Sequence, residues 1–72
     1  MSIVDFSEVV KIKDAVKEKF NEKVHFHDAC GGQYFTLEKT NPEMVEFIKN
    51  FMHKQGYKAD FDKNGLSFTL ED

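Results

Sequence analysis

The chain has 72 residues, 40% of them hydrophobic and 32% charged, with a formal net charge of −3 at pH 7. A domain of this size buries only about 60% of the surface its unfolded form exposes, so its core must rest on large side chains, which eight Phe and two Tyr supply. Every basic residue is a Lys and none of them cluster, which argues against nucleic acid; no apolar run approaches the roughly 20 residues of a membrane helix, and a lone Cys without a signal-peptide pattern fits a reducing cytoplasm.

In chain order, Asp5 with Glu8 three positions on gives an N-cap and a carboxylate behind it. Val9, Ile12, Val16 and Phe20 then recur at helical spacing, which predicts a first helix over about residues 6 to 20. Lys17 and Lys19 fall in its last turn, where the helix dipole favours cations. Val24, Phe26 and Asp28 alternate with His25, His27 and Ala29 as a strand, Gly31-Gly32 supplies a two-residue turn, and Gln33, Phe35 and Leu37 alternate with Tyr34, Thr36 and Glu38 on the return. Asn41-Pro42 opens a second helix as cap and first-turn proline. Met44, Phe47, Ile48, Phe51 and Met52 form its buried stripe, and Gly56 ends it. Tyr57, Ala59 and Phe61 run to a hairpin turn at Asn64-Gly65, from which Leu66, Phe68 and Leu70 return.

The Asn64-Gly65 turn pairs Phe61 with Phe68, Ala59 with Leu70 and Lys58 with Glu71, so every apolar pair shares a face. The same geometry transferred to the first hairpin pairs Phe26 with Leu37, His27 with Thr36 and His25 with Glu38. The transfer is suggested by a repeat: the segment from Gly32 to Glu38 returns thirty-three positions later as Gly65 to Glu71, with Phe, Thr, Leu and Glu in register. The chain therefore reads as a single α+β domain, 1–72, of two αββ repeats at about 5–39 and 40–72. They are expected to form a two-layer sandwich, with two helices on one face of a four-stranded antiparallel sheet and the other face open. A pseudo-twofold axis through such a sheet gives the strand order 2-1-3-4 or 1-2-4-3. The first is the expectation, with residues 66–71 at an edge where Glu71 and Asp72 discourage further pairing.

The copies differ where the first carries His25-Phe26-His27-Asp28-Ala29-Cys30-Gly31 and the second Lys58-Ala59-Asp60-Phe61-Asp62-Lys63-Asn64. The stretch from His25 to Glu38, centred on Asp28-Ala29-Cys30-Gly31-Gly32-Gln33, resembles the small bacterial proteins called the RDAC family after this motif, although His27 stands where the family pattern has an arginine. The resemblance brings no activity or cofactor. It implies that Asp28, Cys30, Gly31, Gly32 and Gln33 are the positions to examine.

On the sharp reading, Cys30 lies near the N-terminus of the first helix, whose dipole favours a thiolate, while Asp28 beside it acts in the opposite sense. Asp28 falls at the repeat position of Phe61, an acid in place of an aromatic, and needs a partner such as the helix amides. The bland reading makes Cys30 a small buried residue at a tight turn and Asp28 a cap. His25 and His27 share one strand face and Glu38 is expected opposite His25: three ligands of a zinc-like set, or two solvent-facing histidines with one ion pair, which is the preferred reading. Cys30 falls on the other face by strand parity. The open face also carries Tyr34, Thr36, Lys58, Asp60, Ser67 and Thr69, and one Tyr without a basic cluster makes a poor RNA platform.

No catalytic triad, phosphate-cradling loop or second cysteine is present, so no catalytic residue, cofactor or metal is assigned. The expected function is that of a cytoplasmic binding or interaction module, monomeric or weakly homodimeric, with an unknown protein or small-molecule partner and neither nucleic acid nor membrane. The alternative is a thiol-dependent or metal-assisted activity centred on the Asp28/Cys30 hairpin.

Overall fold

The structure is a computed structural model that describes residues 6–29 and 32–71. Asp5, Cys30, Gly31 and Asp72, to which the sequence gives a cap, a thiol, a turn and an edge charge, lie outside the described residues. The elements run α1 (Phe6–Phe20), β1 (Val24–Ala29), β2 (Gly32–Leu37), α2 (Pro42–Lys54), β3 (Lys58–Phe61) and β4 (Ser67–Glu71), an α+β chain with two helices and a four-stranded antiparallel sheet.

Local chemistry sets the helix ends. The Asn41 side chain accepts hydrogen bonds from the amides of Glu43 at 3.0 Å and Met44 at 3.5 Å, and Pro42 takes the first helical position, where its missing N–H is not needed. At the far end the Gly56 N–H donates to the His53 carbonyl and the Tyr57 N–H to the Met52 carbonyl. This doubled closure requires the left-handed φ of +91° that Gly56 adopts. Asn21, at φ +55°, does the same for α1, its N–H donating to the Lys17 carbonyl at 2.9 Å. In the first turn of α1, Glu8 pairs with Lys11 at 3.3 Å.

The buried residues of the helices and strands form a common core. Val9, Ile12 and Val16 from α1 and Met44, Ile48 and Met52 from α2 are buried with Val24, Phe35, Leu37, Ala59, Phe68 and Leu70, while Phe20, Phe47 and Phe51 flank them half-buried. The buried strand residues all share one parity, as side chains that alternate across a pleat must. α1 packs against β1, α2 against β3, and the helices touch each other.

The strand order is β1-β2-β4-β3, not the expected 2-1-3-4, so β4 is central and the edges are β1 and β3. Charge accounts for the choice. β1 carries Asp28 on its inward parity, and an edge strand lets such a carboxylate reach water where a central strand does not. β2 and β4 each bring two buried apolar residues, Phe35 with Leu37 and Phe68 with Leu70, and fill the middle.

The register of β3 with β4 is the expected one: Lys58 opposite Glu71, Ala59 opposite Leu70, Phe61 opposite Phe68. That of β1 with β2 differs by two residues. Phe26 faces Phe35, His27 faces Tyr34, His25 faces Thr36 and Asp28 faces Gln33. The expected register would have set the Asp28 carboxylate against the Phe35 ring, and the two-residue shift matches polar with polar while leaving every side chain on its face. At the centre Phe35 faces Phe68, and Thr36 faces Ser67. Four phenylalanines thus form one row across the sheet, Phe26-Phe35-Phe68-Phe61, with successive ring centroids 5.0, 4.8 and 4.6 Å apart.

The second hairpin closes less tightly than a two-residue turn at Asn64-Gly65 would. The Asp62 N–H donates to the Ser67 carbonyl and the Asp62 carboxylate accepts from the amides of Leu66 at 3.0 Å and Ser67 at 3.3 Å, which holds residues 63–66 in a four-residue loop. Leu66, expected as a strand residue, is therefore in the loop and 38% exposed.

Candidate functional site

None of the described side chains on the second sheet face is buried: His25, Tyr34, Lys58 and Asp60 are exposed, and His27, Thr36, Ser67 and Thr69 are partly so. The cross-strand registers arrange them in rows. His27 faces Tyr34 and Thr69 faces Asp60; the β2–β4 register, carried one residue beyond Phe35 opposite Phe68, brings Tyr34 beside Thr69. One row therefore reads His27-Tyr34-Thr69-Asp60, and the next begins His25-Thr36-Ser67.

The first row contains a fixed aromatic pair. The His27 and Tyr34 rings stack with centroids 4.6 Å apart and planes 9° from parallel. A second contact locks the histidine, because its Nε2 lies 2.9 Å from the Thr36 hydroxyl, one of the two donating and the other accepting according to tautomer. An imidazole held by a ring on one side and a hydroxyl at its edge has lost its rotamer freedom before any partner arrives, which lowers the entropic cost of binding there.

His25 Nε2 lies 3.8 Å from Glu38 Oε2, with both side chains about half exposed at 48% and 54%. The expected partnership forms, but diagonally, since Thr36 and not Glu38 faces His25. In water such a pair contributes about 0 to 1 kcal/mol when the imidazole is protonated. The two histidines thus turn their Nε2 atoms to different partners, and no three His, Cys, Asp or Glu among the described residues gather as a metal would require.

The hairpin motif is divided by the structure. Asp28 is exposed and faces half-buried Gln33, one step beyond the His27–Tyr34 row. It does not occupy the place of Phe61: Phe26 stands to Phe35 as Phe61 stands to Phe68, so the reading of an acid in an aromatic's core position is corrected. Gly32 belongs to β2 opposite Ala29, at φ +129° with open space around it, so backbone conformation rather than crowding selects glycine there. Cys30 and Gly31 lie outside the described residues.

Two features were missed from the sequence. At the Asp62 loop, desolvation raises the carboxyl pKa, but hydrogen bonds from the Leu66, Ser67 and Gly65 amides and the Ser67 hydroxyl outweigh it and hold the group below the usual aspartate value of 3.8. The spacing Asp62-Lys63-Asn64-Gly65, an aspartate three before a glycine, carries that turn signal. Between the helices, Phe20 meets Phe47 edge-on at 5.5 Å with the Lys19 ammonium 5.2 Å from the Phe47 ring. They open with Pro42, Glu43, Glu46 and Asn50 into a shallow groove of about 540 Å³. The sequence hint was that Phe20 and Phe47 sit at the margins of their stripes, where rings are covered on one side only.

No helix among the described residues is long and apolar enough to cross a membrane. Comparison with protein-family models, with curated proteins and with solved structures gives no match to this chain.

Proposed function

We propose that this chain is a small binding module, active in the cytoplasm as a monomer or weak homodimer, that offers the uncovered face of its sheet to a protein partner. The observation that carries the reading is the His27–Tyr34 stack, locked by Thr36 on a face without a buried side chain among the described residues. Preordered aromatic rings on an exposed surface are what binding hot spots are made of, since a ring buries a large area with little rotamer freedom to lose.

The reading includes an architecture: two αββ units related by an axis near Phe35 and Phe68, with both helices layered on the other face. Its support is that Phe35 and Phe68, repeat equivalents in the sequence, face each other with rings 3° from parallel. Layering of this kind leaves one face free as a platform.

Selection of displayed peptides against the full chain, followed by amide chemical-shift mapping of the selected peptides, tests the reading. Shifts confined to the rows of His25, His27, Tyr34, Thr36, Ser67 and Thr69, together with loss of binding in Tyr34→Ala, support it. Peptides that move the helix groove or the hairpin tip instead, and bind Tyr34→Ala as well as the parent, refute it.

A further inference from the structure

The uncovered face carries a more specific feature, which rests on the reading of that face as the binding surface. His27 and Tyr34 are cross-strand partners with nearly parallel rings, so the normal to both planes runs along the row from β1 toward β4. His27 covers one face of the Tyr34 ring, and the other face looks over β4, with Tyr34 39% exposed. Beneath that free face the β2–β4 register, continued one residue past Phe35 opposite Phe68, places Thr69, and beyond Thr69, as its partner on β3, stands Asp60. Strands lie about 4.8 Å apart, so Tyr34 and Asp60 are separated by roughly 10 Å with only a short hydroxylated side chain between them.

Such a slot has three walls of distinct chemistry. An aromatic plane takes a flat group, a hydroxyl on the floor accepts an in-plane N–H, and a carboxylate on the far side takes positive charge. The charge is not neutralised within the face: Lys58, the nearest cation on β3, faces Glu71, whereas Asp60 faces neutral Thr69. A flat ring without charge leaves Asp60 unmatched, and an ammonium has no plane to lay on Tyr34. A guanidinium is flat, cationic and edged with N–H donors. We propose that the slot between Tyr34 and Asp60, floored by Thr69, receives an arginine side chain of the protein partner.

The test is a chemical-shift titration of the full chain with N-acetyl-arginine amide, against N-acetyl-lysine amide and a short single-stranded oligouridylate at matched ionic strength. The arginine probe is expected to move the Tyr34 ring and the Thr69 and Asp60 amides, with the lysine probe giving a response at least threefold smaller. Tyr34→Ala and the isosteric Asp60→Asn each remove the arginine response while the remaining spectrum stays native. Equal responses to the two amino acids, a response elsewhere on the molecule, persistence in both variants, or stronger binding of the oligonucleotide overturns the proposal. If the arginine probe leaves the row unmoved while the selected peptides still shift the face, the slot is wrong and the binding face stands; if the peptides shift another surface, the binding face itself is wrong.

Discussion

Truncating Phe68 probes the centre of the phenylalanine row. Its side chain is 2% exposed and lies between Phe35 and Phe61, with ring centroids at 4.8 and 4.6 Å. A buried Phe→Ala change costs about 3 to 5 kcal/mol through lost transfer free energy and the cavity left behind. Two ring neighbours lose a stacking partner, each pair contributing about 0.5 to 1.5 kcal/mol beyond area, which puts Phe68→Ala near the upper end, at about 5 kcal/mol. A 72-residue chain at the usual stability per residue holds about 4 to 11 kcal/mol, so the variant is marginal or unfolded. Phe26, half-buried on edge strand β1 with one ring neighbour at 5.0 Å, should lose about half as much, roughly 2 kcal/mol. Urea denaturation followed by far-UV circular dichroism at neutral pH measures both, with Phe68→Leu, at about 1 to 2 kcal/mol, as a variant that still folds. A loss below about 2 kcal/mol for Phe68→Ala, or a larger loss for Phe26→Ala than for Phe68→Ala, refutes the placement of β4 inside the sheet and β1 at its edge.

Gly65 sits at φ +71° with the position of a Cβ 3.0 Å from Thr40 Oγ1, so Gly65→Ala should destabilise by about 1 to 2 kcal/mol, and adding Thr40→Ala should recover the steric part but not the backbone strain, as read by urea midpoints. Asn41→Ala removes the acceptor for the Glu43 and Met44 amides and should cost about 1 kcal/mol, whereas Asn41→Asp should keep it, checked by thermal melts of the three proteins. Asp62 has a folded-state pKa below the usual 3.8, so its stabilising contribution is fully present above that value and is lost as pH falls through the folded one. Carboxyl-carbon NMR should show the depressed titration, and Asp62→Asn should flatten the stability profile in that acid range alone.

What could be read from the sequence was what short segments decide by themselves. Both helices, the Asn41 cap, the Gly56 stop and the β3–β4 register follow from residues within a few positions of each other. The β1–β2 register did not, because a shift of two residues leaves the alternation untouched: Val24, Phe26, Phe35 and Leu37 point inward in either register. The registers differ in which partners meet, above all in setting Asp28 opposite Gln33 rather than Phe35, and a turn like that of the second hairpin hides that choice. The strand order depended on where an inward carboxylate can reach water, a tertiary question that no local pattern answers. The same division runs through the candidate site. Parity alone assigned His25, His27, Tyr34 and Thr36 to the open face, whereas the neighbour on the free side of Tyr34 depends on the strand order. In the expected order 2-1-3-4 that side faces solvent at an edge, and no slot exists.

The two halves share a core and part company at one row. From His27 opposite Tyr34 the first hairpin continues through Asp28 opposite Gln33 and Ala29 opposite Gly32. At the corresponding place in the second hairpin, Asp62 against Ser67, a carboxylate gathers two amides and closes the loop at once. One half ends in a self-satisfied loop, while the other keeps an exposed acid, Asp28, opposite Gln33 within the sheet. The second hairpin closes without such pairs, so closure alone does not account for the extra two in the first. Asp28 and Gln33 share the parity of Phe26 and Phe35, so they stand on the opposite face from Tyr34. A partner segment that seats its arginine on the free face of Tyr34 therefore meets Asp60 as the acid of that row, with the Asp28 carboxylate on the far side of the sheet.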